Sequence, residues 1–93
     1  MVTKESLKNV LEGLKATDNK EMVEEVLEIL DSVSLAEENL HPVQRKWLFC
    51  EEMELSMLTD SNKHPKLINY HLKKLYNLLT DIRLNEVLLA RFP

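Results

Sequence analysis

Only one glycine, Gly13, occurs in the whole chain. Phosphate-cradling loops, tight hairpins and nucleophile elbows need glycine where the backbone approaches a ligand closely or turns with positive φ. Gly13 lies inside a helical pattern, so none of those devices is expected. A nucleotide-binding fold is disfavoured on that ground more than by any missing motif. Leucine is abundant and β-branched residues are sparse, a balance that favours helix.

The apolar spacing agrees. Leu7, Val10, Leu11 and Leu14 fall on one helical face, with Thr3 placed to cap the helix and an end expected near Ala16. Asp18, Asn19, Lys20 and Glu21 read as a capping-box variant that opens a second helix. Met22, Val23, Val26, Leu27, Ile29, Leu30 and Val33 give that helix a wide apolar face. The short turn between the two predicts an antiparallel hairpin. A further capping box at 34–37 predicts a helical turn or two before His41 and Pro42. Proline is tolerated at the first helical position, where its missing N–H costs nothing, so Pro42 opens a longer helix to about Thr59. Val43, Trp47, Cys50, Met53 and Met57 share one of its faces, and Leu48, Leu55 and Leu58 widen it. A face that wide predicts the most enclosed helix of the bundle.

Residues 59–63 form the clearest loop. Pro65 opens the next helix, with Ile68, Leu72, Leu75, Leu79 and Ile82 on one stripe and His71 and Leu78 beside it. Asn85 is placed to cap a last short helix, with Leu84 and Leu89 as its hydrophobic staple. The expected architecture is all-α: a small bundle of four to five helices, mostly antiparallel neighbours, forming one domain over 1–93.

Apolar residues make up 44% of the chain and charged ones 30%, which suits a folded domain rather than a disordered one. A chain this short buries only about 60–65% of its unfolded surface, leaving little core to spare for a buried active site. The apolar run at 47–50 is far short of the roughly 20 residues a membrane span needs. Residues 1–6 lack a basic-then-apolar leader pattern. An intracellular, cytoplasmic or nuclear, location is expected, and the lone Cys50 fits a reducing compartment.

Candidate chemistry is thin. A zinc site needs about four converging ligands, usually with one close pair, and His41, His64 and His71 offer none. They read as caps or half-buried residues. Cys50 lies on the apolar face of its helix and beside Glu51 and Glu52, the opposite of what activates a thiolate. Glu21, Glu24, Glu25 and Glu28, and in part Glu51, Glu52 and Glu54, read as solvated side chains lacking the constrained setting that general acid–base work requires. No Ser, Thr or Lys has flanking glycines or activating spacing. No cofactor, no metal and no enzymatic activity are expected. Lys63, Lys66, Lys73 and Lys74 interleave with Tyr70 and Tyr76 as a nucleic-acid surface would, but the chain is acidic, so nucleic acid is not the expected partner.

That leaves binding to another protein. Charge is split: residues 1–60 hold fourteen acidic and six basic side chains, a net of −8, and residues 61–93 a net of +4. Trp47 and Phe49 sit about 200° apart on a helical wheel, so both cannot face one core. One is either covered by the 34–41 segment or partly exposed. The expected partner-binding set is Trp47, Phe49, Met53, Met57, Tyr70, Lys66 and Lys73, an aromatic, methionine and lysine surface for a helix or short peptide. The alternative is an acidic face of Glu21, Glu24, Glu25, Glu28 and Asp31, such as a small inhibitor of the immunity-protein, antitoxin or phage-regulator kind would use against a basic site. A third reading is a homo-oligomer, a homodimer at its simplest, that buries spare apolar surface against its own copy.

The segment Val26, Leu27, Glu28, Ile29, Leu30, Asp31 and the segment running from Leu72 through Lys73, Lys74, Leu75, Tyr76 and Asn77 to Leu79 carry a family impression. With the hairpin, short connection and two later helices, the layout resembles the helical-bundle modules at the N-terminus of elongation factor TFIIS and in integrase-binding domains, or a pair of armadillo-type repeats. The resemblance implies a peptide-docking module.

Overall fold

The computed structural model describes residues 2–59 and 64–91. Four helices follow one another: α1 (Lys4–Gly13), α2 (Lys20–Asp31), α3 (Pro42–Leu58) and α4 (Pro65–Arg91), with a 3-10 turn at Glu37–Asn39 before α3. No strand occurs among the described residues. Of the expected loop at 59–63, all but Thr59 lies outside them.

The helix starts show how local chemistry sets the boundaries. Thr3 and Ser6 form a reciprocal capping box on α1. His41 performs the same service for α3: its Nδ1 accepts from the Val43 N–H at 3.2 Å, and Gln44 accepts from the His41 N–H at 3.2 Å. Pro42 occupies the first turn of α3, as its fixed φ allows. The other two expected boxes are replaced. Asn19 is the N-cap of α2 but makes no side-chain cap bond; its amide instead donates to the Pro65 carbonyl at 3.0 Å, tying α2 to α4. Around 34–37 no α-helix starts. Leu35 adopts a left-handed backbone, φ 54°, a conformation costing a leucine roughly 1–2 kcal/mol. The Glu86 carboxylate holds it there, accepting from the Ser34 and Leu35 N–H groups at 2.9 and 3.1 Å and from the Ser34 hydroxyl at 3.1 Å.

Cross-helix contacts fix the directions. Ser6 donates to Glu52 at 2.7 Å and Gly13 faces Thr59, so α1 and α3 run parallel. Asn19 to Pro65 and Ser34 to Glu86 make α2 and α4 parallel as well. α3 and α4 are antiparallel, since Glu51 meets Lys74 while Trp47, one turn earlier, lies beside Leu78, one turn later. The bundle is two antiparallel hairpins, α1/α2 and α3/α4, laid side by side.

One continuous core joins all four helices. The stripe predicted for α4 is buried as a whole: Ile68, Leu72, Leu75, Leu79 and Ile82 are at most 1% exposed, with His71 and Leu78 beside them. No separate C-terminal helix forms. α4 runs unbroken through Asn85, because nothing at 83–85 breaks the helix and Glu86 is spent on the 34–35 turn rather than on a new cap. Its 27 residues span about 40 Å and set the long axis of a 45 × 22 × 19 Å molecule.

Candidate functional site

α3 contains more apolar residues than one helix face can bury, and the structure resolves which of them go inside. The buried positions are Leu48, Glu51, Leu55 and Leu58, at intervals of three, four and three. The stripe expected to lead the core, Val43, Trp47, Cys50, Met53 and Met57, is exposed instead. α3 is therefore not the most enclosed helix, and Cys50 is not a buried hydrophobe. The leucine stripe wins because Leu48, Leu55 and Leu58 mesh with the leucines of α4, and because the carboxylate interrupting it finds partners there.

That carboxylate is the centre of the site. Glu51 is only 6% exposed, unlike the solvated residue expected from its acidic surroundings. Its Oε2 lies 2.8 Å from His71 Nδ1 and its Oε1 lies 3.1 Å from Lys74 Nζ. An ionised carboxylate offers only acceptors, so His71 carries its hydrogen on Nδ1. A buried charge is tolerated when it is paired and hydrogen-bonded, and both Glu51 oxygens are engaged. Lys74 also stands 5.3 Å from the Tyr70 ring centroid, within cation–π range. Tyr70 in turn packs edge-on against the His71 imidazole, centroids 5.2 Å apart. These contacts set Tyr70 and Lys74 side by side on the outer surface of α4.

The hydrogen bond to Glu51, and then the Glu51 charge, hold the Lys74 ammonium above its ordinary 10.5. A group whose folded pKa is raised contributes stability fully below its unfolded pKa and loses it as pH rises through the folded one. The urea midpoint of Lys74→Gln is thus expected to lie below wild type by a constant gap from neutral pH up to about pH 10.5, a gap that narrows above it. Parallel pH series of the two proteins would show this, and a gap independent of alkaline pH would remove the ion pair from the account.

Beside the triad, Trp47, Cys50, Glu51, Lys74 and Leu78 line a cleft of about 490 Å³ between α3 and α4. Trp47 is 55% exposed on the α3 bank; Tyr70, 56% exposed, stands outside the lining, about two turns along α4 from Leu78. Of the expected partner-binding residues, the structure brings these two to one face, joined through Lys74. The others point elsewhere. Phe49 is half-exposed on the α1 side of α3, in a separate cleft with Val2, Leu40 and Arg45. So neither Trp47 nor Phe49 is covered by the 34–41 segment, although Leu40 stands beside Phe49. Met53 and Met57 lie on the side of α3 turned away from the core, and Lys66 and Lys73 on the outer side of α4, all exposed. Glu21, Glu24, Glu25, Glu28 and Asp31 form a continuous exposed flank of α2. Among the described residues no cation lies within 4 Å of them.

Among the described residues no three His, Cys, Asp or Glu side chains are placed to hold a metal, no helix is long and apolar enough to cross a membrane, and no buried side-chain polar atom lacks a partner. Comparison with known proteins gives no matching family model, no matching curated protein and no matching solved structure.

Proposed function

We propose that this chain is a non-catalytic docking module that takes a helix or short linear segment of another protein on its α3/α4 face. The observation that supports the reading is a half-exposed tryptophan, Trp47, standing across an open α3/α4 cleft from Leu78, with the paired Glu51 and Lys74 in its lining and a second half-exposed aromatic, Tyr70, against Lys74 farther along α4. Binding energy at protein surfaces concentrates in such aromatic anchors. An anchor held in its bound rotamer before binding loses less entropy when the partner arrives. Tyr70, in contact with Lys74 and the His71 edge, has less rotamer freedom to lose than an isolated surface tyrosine. The partner segment supplies apolar side chains for the gap between Trp47 and Leu78, and its backbone lies along the groove as an added helix or extended strand.

A peptide-display selection against the immobilised protein tests this. Selected peptides are expected to shift the Trp47 indole and Leu78 resonances in an NMR titration. Trp47→Ala should weaken their binding at least tenfold, about 1.4 kcal/mol, in a protein that still unfolds cooperatively with a thermal midpoint lowered by less than that of a core truncation, because the residue is more than half exposed. Peptides that bind but leave both Trp47 and Leu78 unperturbed would move the docking surface elsewhere.

A further inference from the structure

The segment after α2 carries a motif that the fold leaves unused. Ser34, Leu35, Ala36 and Glu37 have the pattern of a capping box, yet no α-helix starts there. The groups of the box are engaged otherwise. The Ser34 N–H, the Ser34 hydroxyl and the Leu35 N–H all donate to Glu86 on α4. The Ser34 hydroxyl also accepts from the Ala36 N–H at 3.4 Å, one residue short of the Glu37 N–H that a capping box engages. Glu37 itself is exposed, and its N–H has no acceptor among the described residues. Leu35 is held meanwhile at φ 54°, where side chains other than glycine are uncommon. Returned to a negative φ, it would lead straight into the 3-10 turn at Glu37–Asn39, which is already wound as a helix. Pro42 keeps any such helix separate from α3, because the residue before a proline avoids the helical region, and His41 is extended at ψ 141°.

Two arrangements therefore compete for the same donors. We infer that residues 34–40 form a two-state strap in which Ser34 changes acceptor: Glu86 of α4 when the strap is closed, Glu37 of its own capping box when it is open. In the closed arrangement Glu86 collects the Ser34 and Leu35 donors, and Leu35 and Leu40 are buried. In the open one the Ser34 hydroxyl accepts from the Glu37 N–H and the Glu37 carboxylate accepts from the Ser34 N–H. Leu35 takes a negative φ, and residues 35–40 become one capped helical turn. Burial and the charged acceptor favour the first state. Relief of the left-handed leucine and satisfaction of the first-turn N–H favour the second. Opposed terms of this kind keep a minor state within a few kcal/mol.

The strap is attached narrowly. Among the described residues, Glu86 is the one side chain outside 34–40 that hydrogen-bonds to it. Its last buried residue, Leu40, lines two hollows at once, one with Arg45, Leu48 and Phe49 and one with Gln44 and Leu88. Opening withdraws Leu40 from both and uncovers Leu48 beside the half-exposed Phe49. None of these residues lines the Trp47 cleft, so the switch stands apart from the docking reading.

NMR of the whole chain tests it through the backbone shifts of 34–40, since the Leu35 Cα shift separates a left-handed from a helical conformation. Glu86→Gln keeps the size and removes the charge that strengthens the three bonds. It should raise the open population at least roughly tenfold, with helical shifts appearing at 36–39. Glu86→Asp, which shortens the reach, should act in the same direction to a smaller extent. Glu37→Ala added to Glu86→Gln should lower the open population at least roughly threefold, because it removes half of the capping box. Two exposed carboxylates that act in opposite directions are a signature that simple support of the core would not produce. A Glu86→Gln protein in which Leu35 stays left-handed would overturn the inference. So would one whose strap loses order without gaining helical shifts, or a double variant as open as Glu86→Gln alone.

Discussion

Leu55→Ala is expected to lower the free energy of unfolding by about 3–5 kcal/mol, and Met57→Ala, two residues along the same helix, by less than about 0.5 kcal/mol. Leu55 is fully buried and Met57 is 69% exposed. The first substitution removes three carbons from a packed site and leaves a cavity that rigid neighbours cannot fill. The second removes a side chain already in water. In a domain of this size each kcal/mol moves the thermal midpoint by about 4–8 °C. Leu55→Ala is therefore expected to melt at least about 12 °C lower, while Met57→Ala melts near wild type. Urea unfolding of the two variants separates the faces of α3. Equal losses would mean that α3 is rotated about its axis relative to the arrangement described, and a larger loss at Met57 would reverse it.

That helix is also where the sequence is least explicit. α1, α2 and the 65–82 part of α4 each have one dominant apolar stripe, so periodicity alone assigns their buried faces. Every position read as the α4 stripe, from Ile68 to Ile82, is inside. α3 carries two stripes: Val43, Trp47, Cys50 and Met57 on one, Leu48, Leu55 and Leu58 on the other. Hydrophobicity ranks the first at least as high, since it holds the tryptophan. What decides is shape and partnership across the interface, and both belong to α4. The missing break at 83–85 has a related cause. Asn85 and Leu84 satisfy a capping pattern, but a cap forms only where the chain has reason to leave the helix. Glu86 gains more by holding the left-handed Leu35 turn from within an unbroken helix. Boundaries set by local side-chain geometry, Thr3 and Pro42 among them, were readable. Boundaries set by a residue fifty positions away were not.

The site follows the same division. Trp47 and Tyr70 are visible as aromatics out of place, and the structure sets them on one face. Phe49, Lys66 and Lys73 share their residue types but not their direction. The cluster beneath them went unseen because Glu51 stands in an acidic run, beside Glu52 and Glu54, and a run of that kind normally faces water. Its position did contain a signal. Glu51 falls in phase with Leu48, Leu55 and Leu58, and a carboxylate in phase with a leucine stripe must find a donor. His71 and Lys74, three apart on α4 and flanking its buried leucines, were the available donors.

The strength of that cluster sets the second large effect. Glu51→Ala is expected to cost about 2–3 kcal/mol, against less than about 0.5 kcal/mol for Glu54→Ala on the exposed side of the same turn. Only a small part of the loss comes from the Coulomb attraction, because Lys74 is about half exposed and regains water when released. It comes from His71, whose imidazole is buried and whose Nδ1–H would be left without an acceptor. His71→Leu alone strands the Glu51 carboxylate with a single partner and should cost a similar amount. Replacing both together, Glu51→Met with His71→Leu, removes the charge and its donor at once and fills the space with carbon, a change that in buried pairs is often close to neutral. The double replacement is then expected to be more stable than the sum of its parts by more than about 1 kcal/mol. Chemical denaturation of the four proteins gives that coupling directly, and additive losses would mean that Glu51 and His71 do not act on each other. The docking face adds a readout of its own: if the cluster serves to hold Tyr70, the double variant keeps its stability while the Tyr70 ring, deprived of the His71 edge and of a positioned Lys74, becomes freer on the α4 surface. Faster Tyr70 ring motion by NMR in a protein of near wild-type stability would separate positioning of the surface from support of the core.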